Sequence, residues 1–178
     1  GEAPSCSLWF LAMDPAPDRV ALLGRKVSFP IEALSARSDP FRLQLADAEL
    51  TDEGMRGELS DISWKLSWTP SPRPYEPVHP LLARLGAAQT VLVLPHADVE
   101  TAGTIEIAGR RLELSGVPAG QAHLWGTKHA RRWAWVHCND FADPHGAPVL
   151  GTFIDGVSAV VSRLGREVGP STPVVGRF

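Results

Sequence analysis

Between Asp61 and Trp68 the large apolar side chains fall on every second residue. Ile62, Trp64, Leu66 and Trp68 share one parity, while Ser63, Lys65 and Ser67 take the other. A strand turns successive side chains to opposite faces, whereas a helix would scatter these four around its circumference. The segment therefore reads as a half-buried strand, and it sets the terms for the rest of the chain.

The same period recurs. Ile105 and Ile107 are answered by Leu112 and Leu114 across Ala108-Gly109-Arg110, the pattern of a hairpin over Thr104–Ser115. Further strands are expected at Cys6–Met13, Lys26–Ile31, Phe41–Leu50, Met55–Ser60, Thr90–Leu94, Arg132–Cys138, Val149–Ile154 and Val157–Arg163. Only one helix is expected, a short one starting at Pro80 with Leu81, Leu82 and Leu85 and ending at Gly86. Thr69–Pro80 carries five prolines, which cannot donate to a ladder, so this stretch leaves the sheet as a rigid loop or a ligand for a proline-reading module. The expected class is all-β, a barrel or sandwich.

A chain of 178 residues suits one domain and can bury a core without staples. Its net charge of −3 gives no electrostatic reason to expect a nucleic-acid partner. No run approaches the roughly 20 apolar residues of a membrane span. Cys6 and Cys138 follow no metal-ligand spacing and sit in apolar runs, so two buried thiols are favoured over a disulfide. No charged-then-apolar leader is present, which leaves the compartment open with the cytoplasm favoured. The absence of G-x-S-x-G, P-loop and G-x-G-x-x-G motifs weighs against serine-hydrolase, NTPase and dinucleotide chemistry.

The stretch Gly103–Phe141, GTIEIAGRRLELSGVPAGQAHLWGTKHARRWAWVHCNDF, combines a hairpin, a Trp-Gly loop, a basic turn and Trp-x-Trp-Val-x-Cys-Asn-x-Phe. In Gly103, Gly109, Trp125, Gly126, Arg132, Trp133, Trp135, Val136, Cys138, Asn139 and Phe141 it resembles tocopherol cyclase and its lipocalin-like relatives, among them carotenoid 1,2-hydratases and some fungal Diels–Alder cyclases. It departs from them at Leu124, where an Asn is expected, and at His137, where a Gln is common. The resemblance implies a lipocalin-like antiparallel β-barrel over 1–178, either one barrel or a fragment of a two-barrel protein whose second barrel begins near residue 131. It also implies a terpenoid-, polyene- or polyketide-like ligand, either cyclised or hydrated, or else only carried by a non-catalytic protein or interaction module of the same fold. No cofactor is implied, and the partner is a homodimer mate or the second barrel.

Trp64, Trp68, Trp133 and Trp135 sit at strand positions of matching parity, so each pair points one way and can wall an apolar slot. With the motif residues Trp125 and Asn139 they make the candidate ligand-binding set. His137 continues the Trp133/Trp135 face and is a candidate acid or base. Protonating an alkene calls for a carboxylic acid kept neutral by burial, with aromatic faces to stabilise the cation. Asp61, Asp98, Asp140 and Asp155 adjoin apolar strands, and Asp140, next to Asn139, is the best placed. Folding a polyene by shape alone needs no acid. Lys128, His129, Arg131 and Arg132 form a basic turn suited to an anionic ligand head or simply to solvent. His123, His129, His137 and His145 match no zinc spacing, so no metal is expected.

Overall fold

The computed structural model describes residues 3–16, 19–77, 90–126, 130–163, 166–171 and 174–177. Among them it has thirteen strands, a single 3-10 turn at Ile31–Ala33 and no α-helix. The chain is all-β.

The strands form three antiparallel sheets. β1 (Ser5–Ala16) and β2 (Arg19–Pro30) make a two-stranded ribbon. A seven-stranded meander runs in chain order through β3 (Leu34–Ser38), β4 (Phe41–Leu45), β5 (Ala48–Thr51), β6 (Gly54–Leu59), β7 (Ile62–Trp68), β8 (Thr90–Ile107) and β9 (Arg110–Gly126). The third sheet holds β10 (Arg132–Cys138), β11 (Phe153–Arg163) and β12 (Arg166–Ser171), with β13 (Val174–Arg177) also paired to β11. Among the described residues none of these sheets closes on itself. Among the described residues no helix is long and apolar enough to cross a membrane.

The chain divides into two compact units. One comprises Gly1–Trp68 and Thr101–Gly116, the other Thr69–Glu100 and Val117–Phe178.

In the first unit the alternation of β7 does what its spacing requires. Ile62 and Trp64 are buried with Ala48 and Leu59, and Leu8, Phe10, Leu23, Met55, Ile105 and Ile107 pack against them. Full burial of an aliphatic side chain such as Leu59 or Ile62 contributes about 1.5–3 kcal/mol. Phe10 lies 5.9 Å from Trp64, ring centre to ring centre. The opposite face of the β1–β2 ribbon leaves Trp9, Leu11, Met13 and Leu22 exposed, with Lys26 over the Trp9 ring. Three tight hairpins place Ala46, Ser60 and Ala108 at positive φ, and in the last of them Gly109 is left-handed too, as a primed turn demands.

In the second unit Leu94, Ala97 and Phe153 form the buried cluster, with Tyr75 against it. Tyr75 and Leu94 exchange backbone hydrogen bonds of 2.8 Å, and the Tyr75 and Phe153 rings meet edge-on at 5.2 Å. This bridge is the one strand-like pairing within Thr69–Pro77, which otherwise stays off the sheets.

Several expectations need correction. Phe41–Leu50 is two strands, because the chain reverses at Ala46-Asp47 and pairs Leu45 with Ala48. Val149–Ile154 and Val157–Arg163 are not separate strands: Gly156 is buried inside a continuous β11, and the break falls earlier, in the turn at Leu150-Gly151. Neither cysteine is buried. Cys6 is half-buried, Cys138 is exposed, and both are free. The helix expected from Pro80, together with Lys128 and His129, lies outside the described residues.

Candidate functional site

β10 has the Trp-x-Trp-x-His pattern of a strand, and antiparallel pairing with β11 sets Trp133, Trp135 and His137 opposite Ala159, Val157 and Asp155. Directly opposed residues share a face of the sheet. Phe153 is the next residue of β11 on that face, two before Asp155. The register therefore gathers two indoles, an imidazole, a carboxylate and a phenyl ring on one surface.

Asp155 is 2% exposed, and an isolated charge at such depth is costly unless donors surround it. Two donors do. Trp135 donates from Nε1 to Asp155 Oδ2 at 2.8 Å, and His137 Nδ1 lies 3.1 Å from the same oxygen. With Nδ1–H directed at the carboxylate, the second nitrogen of a neutral imidazole is an acceptor. That nitrogen, His137 Nε2, is buried and has no hydrogen-bond partner among the described residues. The imidazole is flanked by Phe153, stacked at 6.3 Å and 23°, and by the Trp135 ring at 6.0 Å. The arrangement is a carboxylate–imidazole pair: Asp155 holds one ring nitrogen, and the other is left buried without a hydrogen-bond partner among the described residues.

The indoles of β10 are exposed, Trp133 by 68% and Trp135 by 50%, although Trp135 is tied down at its nitrogen. Exposed indole faces beside the buried Asp155–His137 pair can bind an apolar ligand and favour a nearby positive charge. Trp125, on β9, is also exposed. Trp64 is 8% exposed and belongs to the core of the first unit, and Trp68 donates from its indole nitrogen to the Asp52 carbonyl at 2.7 Å.

Asn139 spans two acceptors, the Ala119 carbonyl at 2.8 Å and Asp98 Oδ1 at 3.3 Å. The other oxygen of Asp98 accepts from the Gly151 backbone N–H at 2.6 Å. This bond fastens the β10–β11 connection to β8. An open cleft of about 250 Å³ lies alongside, lined by Thr69–Pro72, Asp98–Glu100, Leu150 and Gly151.

Of the four candidate acids, the structure buries only Asp155. Asp140 is exposed and so lacks the burial that motivated its choice. Asp61 pairs with Arg25 at 3.1 Å, and the hydrogen bond from that guanidinium holds its carboxyl below the usual carboxylate range. Asp98 has the fastening role just described. The importance of Asp155 is invisible along the chain, since its partners are 18 and 20 residues away. Among the described residues no three of His, Cys, Asp and Glu gather where a metal could sit. His123 is hydrogen-bonded to Gln121 at 2.8 Å.

The family model described as tocopherol cyclase-like matches residues 57–164, which include Trp135, His137 and Asp155. No curated protein and no solved structure matches the chain.

Proposed function

The chain belongs to the tocopherol cyclase-like family, and on that premise we propose that it binds a hydrophobic terpenoid-, polyene- or polyketide-like molecule and cyclises or hydrates it by proton transfer through His137 and Asp155. The single observation that carries this reading is the buried Asp155 carboxylate, which receives both Trp135 and His137 while His137 Nε2 is left without a partner.

The reaction runs without net consumption of a proton. The pair delivers one to an alkene carbon and breaks the π bond, leaving a carbocation. A hydroxyl of the same molecule, or a water, then donates an electron pair to that carbon. The oxygen's proton returns to the pair. The product is an isomer in the first case and a hydrate in the second. Trp133 and Trp135 present their faces to the cation, worth about 0.5–2 kcal/mol each depending on how dry the contact is. Asn139 and Trp125 lie in the same unit as these groups and are assigned to the ligand rather than to the chemistry. Closure of the strands into a lipocalin-like barrel around the ligand is part of this proposal, supported by the family and by the unbroken meander from β3 to β9.

The test begins with native mass spectrometry of the purified protein for a retained apolar small molecule. It continues with turnover of a prenylated hydroquinone or an acyclic carotenoid by the native protein, Asp155→Asn and His137→Gln. Proton-transfer catalysis predicts a loss of about 100-fold or more in kcat for both variants, with binding retained. Ligand binding with no turnover would instead identify a carrier.

A further inference from the structure

We propose that Gly120 of β9 is the positioning residue of the acid–base pair, its missing side chain being what allows the His137 imidazole to lie between Asp155 and the β9 backbone. This inference rests on the reading of His137 and Asp155 as a catalytic pair.

A Cβ at residue 120 would stand 3.0 Å from His137 Nε2, 3.4 Å from the Ala97 carbonyl oxygen and 3.5 Å from that of His96. The first distance is closer than ordinary carbon–nitrogen packing, so a side chain at 120 obliges the imidazole to move. It has few directions in which to do so. Its Nδ1 is fixed by Asp155, and its faces are bordered by Phe153 and Trp135. Asp155 itself is also held by Trp135, so it cannot follow a displaced ring without breaking a second hydrogen bond. The backbone freedom of glycine is not the reason for its presence, because Gly120 is not among the glycines at positive φ. Space is the reason. A methyl group shifts the ring by a few tenths of an ångström, and a branched side chain shifts it further.

The test is a double-mutant cycle with a spectroscopic readout on the full chain. Gly120→Val is expected to lower Tm by roughly 3–8 °C in the native background. In the His137→Ala background the same change should leave Tm within about 1 °C or raise it, since valine suits a strand better than glycine. In 15N-labelled protein the His137 Nδ1–H resonance is expected downfield in the native chain through its bond to Asp155 and should move upfield or vanish in Gly120→Ala, with an Asp155→Asn spectrum as the reference for a broken bond. Equal Tm losses in both backgrounds, or imidazole shifts unchanged by Gly120→Ala and Gly120→Val, would overturn the proposal. If Gly120→Val fails to fold, recovery of folding on adding His137→Ala supports it and failure to recover refutes it. None of these readouts requires turnover, so an inactive native protein would refute the catalytic reading while leaving the positioning result measurable.

Discussion

His137 Nδ1 and Asp155 Oδ2 lie 3.1 Å apart across the β10–β11 ladder, on residues that antiparallel register places directly opposite each other. The contact is thus a product of strand pairing, and one slip of register would turn the imidazole to the other face. Trp135, two residues before His137, converges on the same oxygen, so Oδ2 serves as a common anchor for two side chains of one edge strand.

Removing that anchor should be costly. Asp155→Ala leaves the His137 and Trp135 donors without their acceptor and opens a cavity beside Phe153. A loss of about 2–4 kcal/mol is expected, read from the urea midpoint at constant m-value. A shift below about 0.5 kcal/mol would mean that water replaces the carboxylate without penalty.

The tryptophans divide by role. Trp64→Ala should destabilise the protein by about 3–5 kcal/mol, because the ring is buried against Phe10 and its core neighbours. Trp133→Ala, at an exposed position, should change stability by less than about 0.5 kcal/mol yet weaken binding of an apolar ligand several-fold in a fluorescence titration. Equal stability losses for the two would contradict this division.

Gly103 tests a backbone constraint. It sits at φ +138, and a Cβ there would run into the Lys65 carbonyl across the β7–β8 ladder. Gly103→Ala should therefore cost about 2 kcal/mol or more, visible as a drop in Tm. A neutral alanine would show that β7 and β8 can separate locally at no expense.

Acid stability should depend on Glu49. The hydrogen bond from Arg56, aided by the charge of Arg42, holds the Glu49 carboxyl below its ordinary value of 4.5. A carboxylate depressed in the folded state binds its proton more readily when unfolded. Its contribution is therefore intact above the ordinary value and is lost as pH falls through the lower folded one. Tm of the native protein should decline more steeply than that of Glu49→Gln as pH is lowered below about 4.5. Parallel curves would rule the network out as a source of acid sensitivity.

Much of the fold was legible because half-buried strands announce themselves by parity. The parity of Ile62, Trp64, Leu66 and Trp68 marks β7, and that of Ile105, Ile107, Leu112 and Leu114 marks the β8–β9 hairpin. The reversal at Ala46-Asp47 was not legible, since alanine carries no turn signal and its positive φ is imposed by the pairing of Leu45 with Ala48. β12 and β13 are not legible because neither carries an alternating apolar stripe: Arg166–Ser171 is interrupted by Gly169-Pro170, and Val174–Arg177 is four residues long with Gly176 inside it. At the site, Trp133, Trp135 and His137 could be read as one face from spacing. Which carboxylate is buried there could not be read, because adjacency to Asn139 favours Asp140, whereas the cross-strand register sets the buried Asp155 opposite His137.

The most direct test is turnover of a prenylated hydroquinone or acyclic carotenoid in deuterium oxide, followed by mass spectrometry of the product. The native protein should place one deuterium on the former alkene carbon in each product molecule, and Asp155→Asn should form labelled product at least about 100-fold more slowly. Labelled product from Asp155→Asn at the native rate would contradict proton delivery by the His137–Asp155 pair.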